Sequence, residues 1–131
     1  MGLFYSQSYD YDGAMKQAII HQRIEGAAIF LAALLFYRRG DHSMIWLVVL
    51  FFSIDISMLG YLAGPKIGAY AYNTAHNYAL PVVLLVLGIH SNVAVALALI
   101  WIGHIGFDRA MGYGLKSTSG FGETHLGKIG R

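Results

Sequence analysis

Residues 44–64 read MIWLVVLFFSIDISMLGYLAG, and this stretch decides the class of fold. It contains a single charged side chain, that of Asp55. A helix that crosses the hydrocarbon core of a bilayer needs about 20 consecutive, mostly apolar residues. The stretch therefore predicts a transmembrane helix, with one acidic group near its middle.

The composition of the whole chain also favours a membrane protein. Of its 131 residues, 56% are hydrophobic and only 12% are charged, whereas a soluble domain carries about 25% charged residues. So few charges cannot cover a surface that faces water, and we expect lipid to be the main solvent and partner. The net charge is only +2 and no basic tract is present, so the sequence does not indicate nucleic acid as a partner.

Three more hydrophobic segments flank the first one. The four predicted helices span residues 18–38, 44–64, 67–90 and 93–112. The connections between them are short, which makes consecutive helices antiparallel neighbours. We predict an all-α fold, an antiparallel bundle of four transmembrane helices that forms one membrane domain over residues 1–131. A glycine-rich tail, residues 113–131, follows the fourth helix. Pro81 should kink the third helix, because proline removes a backbone hydrogen-bond donor.

Basic residues predict the orientation of this bundle. Four spans place both termini on the same side of the membrane. The opposite side carries Arg38 and Arg39, and the side of the termini carries Lys16, Arg23, Lys66, Arg109, Lys116, Lys128 and Arg131. Because basic residues favour the cytoplasmic side, we predict a multi-pass protein with both termini and the tail in the cytoplasm.

Ionisable side chains share one depth in this bundle. With a rise of about 1.5 Å per residue, Asp55 and His76 each lie roughly 14 Å from the cytoplasmic loop that joins their helices. His104 lies roughly 12 Å from the end of its helix, with Asp108 one turn shallower on the same face. Glu25 lies roughly 10 Å inside the first helix. All five fall in the cytoplasmic half of the bundle.

Two histidines and three carboxylates at one level have the composition of a metal site in a helical bundle. Imidazole nitrogens suit zinc and iron, and carboxylate oxygens suit manganese. The predicted cofactor is therefore a divalent metal ion, which we expect to be zinc, manganese or iron. The alternative interpretation is structural: Asp55 pairs with Arg109, and the polar layer only holds the helices together.

Two strings of the sequence carry a family resemblance. DISMLGYLAGPKIGAYAYNTAHNYALP (Asp55–Pro81) and HIGFDRAMGYGLKSTSGFGETHLGKIGR (His104–Arg131) resemble a family of small bacterial membrane proteins, catalogued as domain of unknown function 4260. The resemblance covers residues 23–131. It implies a membrane fold in the bacterial cytoplasmic (inner) membrane, and it implies no particular activity.

A second resemblance suggests a reaction. An aspartate in one membrane helix, Asn-x-x-His in the next and Thr-His near the end are similar to a group of membrane-bound metal-dependent hydrolases. The ligands that this resemblance implies are Asp55, His76 and His125, with His104 and Asp108 as further candidates. The chain departs from that group at Asn77, where the group has arginine, and at Leu126, where it has serine.

The sequence thus favours a metal-dependent hydrolase that acts on a membrane-associated, lipid-like substrate. The metal ligands would be Asp55, His76, His104 and Asp108. Glu25, as a ligand or general base, and His125 would be catalytic, and Arg109 and Lys116 would bind an anionic group of the substrate, beneath a lid formed by the tail.

Three other functions remain open at this point. A haem-binding subunit would use His76 and His104 as the two axial ligands. An accessory structural subunit of a membrane complex would use the polar layer only to join helices. A proton or ion carrier would use the same Asp and His side chains as a relay, and its four short helices would require a homo-oligomer.

Overall fold

The computed structural model of the chain describes the backbone of residues 2–129 and the side chains of residues 12–129. Its α-helices are α1 (Gly2–Arg39), α2 (Met44–Ser53), α3 (Pro65–Ala75), α4 (Ala79–Leu87) and α5 (Asn92–Met111). A 3-10 helix, η1 (Ile54–Ala63), continues directly from α2. The strands are β1 (Lys116–Ser117), β2 (Gly120–Thr124) and β3 (Gly127–Lys128).

Three helical stretches are long and apolar enough to cross a membrane. They cover Asp12–Arg39, Met44–Ala63 and Asn92–Met111, so they correspond to three of the four predicted spans. None of the residues of Met44–Ala63 is buried inside the protein. Large side chains such as Trp46 and Leu62 are exposed there, which is the arrangement expected for contact with lipid.

The first helix is longer than predicted. It begins at Gly2 and not at residue 18, so the predicted start was wrong. Its 38 residues extend over about 57 Å, while the hydrocarbon core of a bilayer is about 30 Å thick. Hydropathy identified only the apolar portion of α1, because the residues before it lack a continuous apolar pattern.

The third hydrophobic segment is divided into two short helices, so the prediction of one helix over residues 67–90 was wrong. Helix α3 ends at Ala75 and α4 begins at Ala79. Pro81 explains the break, since a proline ring collides with the carbonyl group four residues earlier, here that of Asn77. The predicted kink is present, but as an interruption at residues 76–78 that precedes the proline.

The side chain of Asn77 satisfies the backbone at this interruption. Its amide nitrogen donates to the carbonyl oxygens of Asn73 (2.8 Å) and Thr74 (2.9 Å). Its amide oxygen accepts a hydrogen bond from the backbone nitrogen of Ala79 (3.0 Å). One side chain therefore caps the end of α3 and the start of α4, whose terminal backbone groups have no partner within their own helices.

The tail forms a small antiparallel sheet in the order β1-β2-β3. Lys116 of β1 lies opposite Thr124 of β2, and Glu123 of β2 lies opposite Lys128 of β3. Strands β1 and β2 both pack against α3. The all-α prediction was therefore wrong for the tail, where strands of two to five residues are too short to show a hydrophobic alternation.

Glycines set the spacing between α1 and α5. A Cβ atom on Gly106 would lie 2.8 Å from the carbonyl oxygen of Gly26 and 2.8 Å from the backbone nitrogen of Phe30. The backbones of the two helices thus touch at this crossing, as small residues allow in membrane helices. The contact fixes the half of α5 that carries His104 and Asp108.

We expect the substitution Gly106→Ala to destabilise the protein, because the added methyl group would overlap the backbone of α1. Overpacking of this kind costs about 1–3 kcal/mol. The matched control is Gly103→Ala on the same helix, where the nearest atom to a new Cβ would be Ala33 Cβ at an ordinary 3.5 Å. Thermal unfolding in detergent, followed by circular dichroism, should show a lower Tm only for Gly106→Ala; equal melting of the two variants would contradict the close crossing.

Candidate metal centre

Four ionisable side chains from three elements meet in the interior. Asp55 comes from the first turn of η1, His76 follows the end of α3, and His104 and Asp108 come from one face of α5. The ligand atoms of these four residues all lie within 4.8 Å of one another. We call these four residues the His/Asp cluster. They are the four residues that the sequence predicted as metal ligands.

The His/Asp cluster has the spacing of a coordination sphere. His76 Nε2 lies 3.1 Å from His104 Nε2, 3.3 Å from Asp55 Oδ1 and 3.5 Å from Asp108 Oδ2. His104 Nε2 lies 3.5 Å from Asp55 Oδ1 and 3.7 Å from Asp108 Oδ2. A tetrahedral ion with bonds of about 2.0–2.1 Å separates its ligands by roughly 3.3–3.4 Å. These five separations bracket that value.

A backbone carbonyl fixes the tautomer of His76. Its Nδ1 atom lies 2.9 Å from the carbonyl oxygen of Tyr72, and a carbonyl oxygen can only accept a hydrogen bond. Nδ1 therefore carries a proton, and in the neutral ring Nε2 presents its lone pair to the cluster. Histidines that bind metals are commonly oriented in this way, by a hydrogen bond from the other ring nitrogen.

The arrangement around His76 brings acceptors together. In the neutral tautomer its Nε2 lone pair faces Asp55 Oδ1 at 3.3 Å and Asp108 Oδ2 at 3.5 Å. Lone pairs at these distances repel one another unless a positive centre lies among them. A metal cation would supply that centre, and so would a proton on a carboxylate or on an imidazole nitrogen, including a neutral His104 that donates from Nε2 to His76 Nε2 at 3.1 Å.

His104 differs from His76 in its second nitrogen. Its side chain is almost fully buried, at 1% exposure, and the ring packs edge-on against Phe51, with centroids 4.9 Å apart. Its Nδ1 atom has no hydrogen-bond partner among the residues that the structure describes. The Nδ1 side of this ring is therefore held by packing, while its Nε2 atom faces the polar groups of the cluster.

Two further residues support the ligands. Tyr72 donates its hydroxyl hydrogen to Asp108 Oδ2 at 3.0 Å, and its ring stacks on that of His76, with centroids 3.7 Å apart. Tyr72 was not among the site residues predicted from the sequence. The signal was present, because Tyr72 precedes His76 by four residues and so shares its face of α3.

Arg109 is a positioning residue in this structure. Its guanidinium group donates to the carbonyl oxygen of His76 at 2.7 Å and to that of Tyr113 at 2.8 Å. It thereby holds the interrupted backbone of α3 and the start of the tail. Within residues 12–129 no ion pair joins Arg109 to Asp55, so the particular pair named in the structural alternative is absent. Anion binding by Arg109 stays a prediction.

The tail places Lys116 beside the His/Asp cluster. Asn73 binds both backbone groups of Lys116: its amide nitrogen donates to the carbonyl oxygen (2.9 Å), and its amide oxygen accepts from the backbone nitrogen (2.6 Å). The Lys116 ammonium lies 3.9 Å from the ring centroid of Phe121 and 5.0 Å from that of Tyr72. Burial lowers the pKa of this ammonium, and the negative charges of Asp108 and Asp55 oppose that shift.

A cavity of about 270 Å³ adjoins the cluster. We call it the tail cavity, because the tail supplies half of its walls. Its lining residues are Asp55, Met58, Tyr72, Asp108, Tyr113, Lys116, Phe121 and Ile129. Two ligands of the cluster and one ammonium group therefore face the same space.

Glu25 and His125 lie in a different place. They line a second cavity, of about 230 Å³, together with Arg109, and neither belongs to the His/Asp cluster. His125 Nδ1 accepts a hydrogen bond from the backbone nitrogen of Leu115 (2.8 Å), so its protonated Nε2 donates to Gln22 Oε1 (3.1 Å). Burial lowers the pKa of His125, which favours this neutral form. The catalytic roles of Glu25 and His125 stay predictions.

Comparison with known proteins identifies the family. A family model described as "Domain of unknown function (DUF4260)" matches residues 19–129, and the chain belongs to that family. The match confirms the resemblance seen in the sequence and includes all four residues of the His/Asp cluster. Searches of the curated proteins and of the solved structures gave no match, and the resemblance to metal-dependent hydrolases has no support from these comparisons.

The paired hydrogen bonds between Asn73 and Lys116 yield a prediction about the tail. In Asn73→Ala both bonds are lost, so the backbone of residues 115–124 should open more readily. Hydrogen exchange measured by mass spectrometry should be faster there and unchanged in α5. The control is Thr74→Ala, whose hydroxyl binds only its own helix at Tyr70; similar exchange in the two variants would contradict the anchoring role of Asn73.

Proposed function

We propose that this member of the DUF4260 family binds one divalent metal ion through its His/Asp cluster and uses the ion to hydrolyse a membrane-associated substrate. The observation that carries the proposal is the spacing of the four ligand atoms, which lie 3.1–3.7 Å apart in five of their six pairs. The fixed tautomer of His76 supports it, because that tautomer directs a lone pair to the centre of the cluster.

The ligand set narrows the choice of ion. Two imidazole nitrogens and two carboxylate oxygens suit zinc, iron and manganese. Zinc is the ion that most often binds four protein ligands in tetrahedral geometry, which is the geometry that the measured separations favour. We therefore propose zinc as the first candidate.

The haem alternative conflicts with the same distances. Two axial ligands on opposite sides of one iron are separated by two bonds of about 2 Å each, or roughly 4 Å. The two Nε2 atoms are only 3.1 Å apart, and the carboxylates of Asp55 and Asp108 lie where a porphyrin plane would pass. The cluster fits a bare ion better than a haem.

The four ligands are not equally buried, and this difference supports a hydrolytic role. The side chains of His76, His104 and Asp108 are 0%, 2% and 11% exposed, whereas that of Asp55 is 34% exposed. Catalytic zinc sites have three protein ligands and leave the next position to water or substrate. We propose that Asp55 is the ligand that yields its position, because it borders the tail cavity and belongs to a 3-10 helix, whose hydrogen bonds are weaker than those of an α-helix.

The proposed reaction then follows from the position of Asp55. A divalent ion lowers the pKa of a water molecule bound to it. Asp55 would accept a proton from that water, the water oxygen would bond to the acyl or phosphoryl centre of the substrate, and the bond to the leaving oxygen would break. The proton would then pass from Asp55 to the leaving oxygen, so that water is added across the broken bond.

The membrane arrangement supports a substrate that resides in or at the bilayer. Helices α1, α2–η1 and α5 are the proposed spans, and the broken α3–α4 segment is the proposed fourth element of the bundle. Interrupted helices occur at membrane depth where they are buried in protein or line a cavity. We place both termini and the tail on the cytoplasmic side of the bacterial inner membrane, as the basic residues favour.

Metal content tests the central part of this proposal. Purified from a detergent extract, the protein should contain close to one zinc, iron or manganese ion per chain by elemental analysis. His76→Ala should lose the ion, because one of four ligands is removed. The control is His90→Ala, an exposed histidine outside the cluster. A wild-type protein that holds no metal even after divalent ions are added would leave the accessory structural subunit as the better function.

The unequal burial of the two carboxylates gives a second prediction. Asp55→Ala should weaken metal binding less than Asp108→Ala does, since Asp108 is buried and oriented by Tyr72 while Asp55 is partly exposed. Competition with a coloured chelator measures both affinities on the same scale. If Asp55→Ala weakens metal binding more than Asp108→Ala does, Asp55 is a permanent ligand. The proposal that a water molecule replaces Asp55 at the metal ion would then be wrong.

A further inference from the structure

The ammonium group of Lys116 has no carboxylate partner. The residue as a whole is only 6% exposed. Among the residues that the structure describes, no carboxylate oxygen lies within 4.0 Å of its Nζ atom. Its near neighbours are the faces of the Phe121 and Tyr72 rings, and a charged residue with so little exposure is normally paired. The charge of Lys116 is therefore available to something that enters the tail cavity.

The charges around the cavity predict the charge of that ligand. A divalent ion supplies two positive charges, and the carboxylates of Asp55 and Asp108 supply two negative ones. With both histidines neutral, the metal-loaded cluster carries no net charge. Lys116 then leaves the walls of the tail cavity with one positive charge, which favours a ligand with one negative charge.

We propose that the tail cavity binds a singly charged phosphate ester, with one phosphoryl oxygen at the metal ion and another at Lys116 Nζ. This inference rests on the proposed metal centre. A phosphodiester group has one negative charge and two free oxygens. Divalent ions polarise phosphoryl oxygens, and lysine binds phosphate as a point charge. The two positive groups that this ligand requires line the same cavity.

The rest of the lining fits an ester with an apolar body. Met58, Phe121 and Ile129 face the tail cavity beside its polar groups. Phe121 is 48% exposed, so the apolar part of the wall continues to the surface of the tail. A membrane phospholipid and a small soluble phosphate ester share this headgroup chemistry, and an experiment can distinguish the two sources.

The test uses full-length protein in a maltoside detergent, loaded with Mn²⁺. Bound Mn²⁺ shortens the phosphorus relaxation times of any phosphate close to it, so phosphorus NMR titrations report binding beside the ion. The probes are dihexanoyl phosphatidylglycerol and dimethyl phosphate, a soluble phosphodiester with the same single charge, and zinc-loaded protein supplies the diamagnetic background. Tighter binding of the lipid would identify a phospholipid headgroup as the source. Tighter binding of dimethyl phosphate would identify a soluble phosphate ester.

The variants assign the effect to Lys116. Lys116→Gln should weaken binding of the phosphate probe roughly 10- to 100-fold, the loss expected for a hydrogen bond to a charged group, and Lys116→Arg should restore most of it. The control is Lys128→Gln, which removes the same charge from an exposed residue of the same sheet that pairs with Glu123. It should bind the probe as the wild type does.

Three results would overturn the proposal while leaving the metal centre intact. In the first, the wild-type protein holds Mn²⁺ but shortens the phosphorus relaxation times of neither probe. In the second, Lys116→Gln binds the phosphate probe with the same affinity as the wild type. In the third, hexanoate competes for the site as strongly as the phosphate probe does. Manganese content is measured in every sample. A wild type without bound Mn²⁺ would instead refute the metal centre itself, and the phosphate site with it.

Discussion

The mutual repulsion of electron pairs at the His/Asp cluster is the constraint on which the structure depends. Two carboxylates and the nitrogen lone pair of His76 face one another in the interior of a protein whose outer helical surface is apolar. Water cannot solvate them fully, because three of the four side chains are buried. A proton on one of these groups or a bound cation removes the repulsion, and one divalent ion would neutralise both carboxylates. We interpret the arrangement as a binding site for a cation, because two unneutralised carboxylates are costly to hold in a protein interior.

Several backbone features serve to hold His76 at this point. His76 itself lies at the break between α3 and α4, where the backbone leaves helical geometry. Arg109 binds its carbonyl oxygen, and Trp101 Nε1 donates to the carbonyl oxygen of Ala75 at 2.6 Å. The carbonyl groups of Ala75 and His76 at the end of α3 are thus satisfied by side chains of α5. The same helix supplies two of the four ligands, so α5 both carries the site and fixes its neighbour.

The sequence predicted the His/Asp cluster because helical geometry converts residue spacing into depth. Asp55, His76 and His104 could be placed at one level from their distance to the helix ends, and Asp108 followed from the four-residue spacing on α5. Glu25 had a similar depth but lies in another cavity, since depth does not specify which face of a helix meets the core. The break at residues 76–78 could be expected near Pro81, although its position depends on capping by Asn77. The sheet of the tail could not be foreseen, because it is fixed by side-chain contacts such as that of Asn73 with Lys116.

X-ray absorption at the metal edge of the purified protein reports the atoms around the ion, so it tests directly whether the His/Asp cluster binds a metal. For zinc we expect a first shell of four nitrogen or oxygen atoms at about 2.0–2.1 Å, with the outer-shell scattering of two imidazole rings. A shell of oxygen atoms without imidazole scattering, or a protein that takes up no metal, would contradict the proposed metal centre.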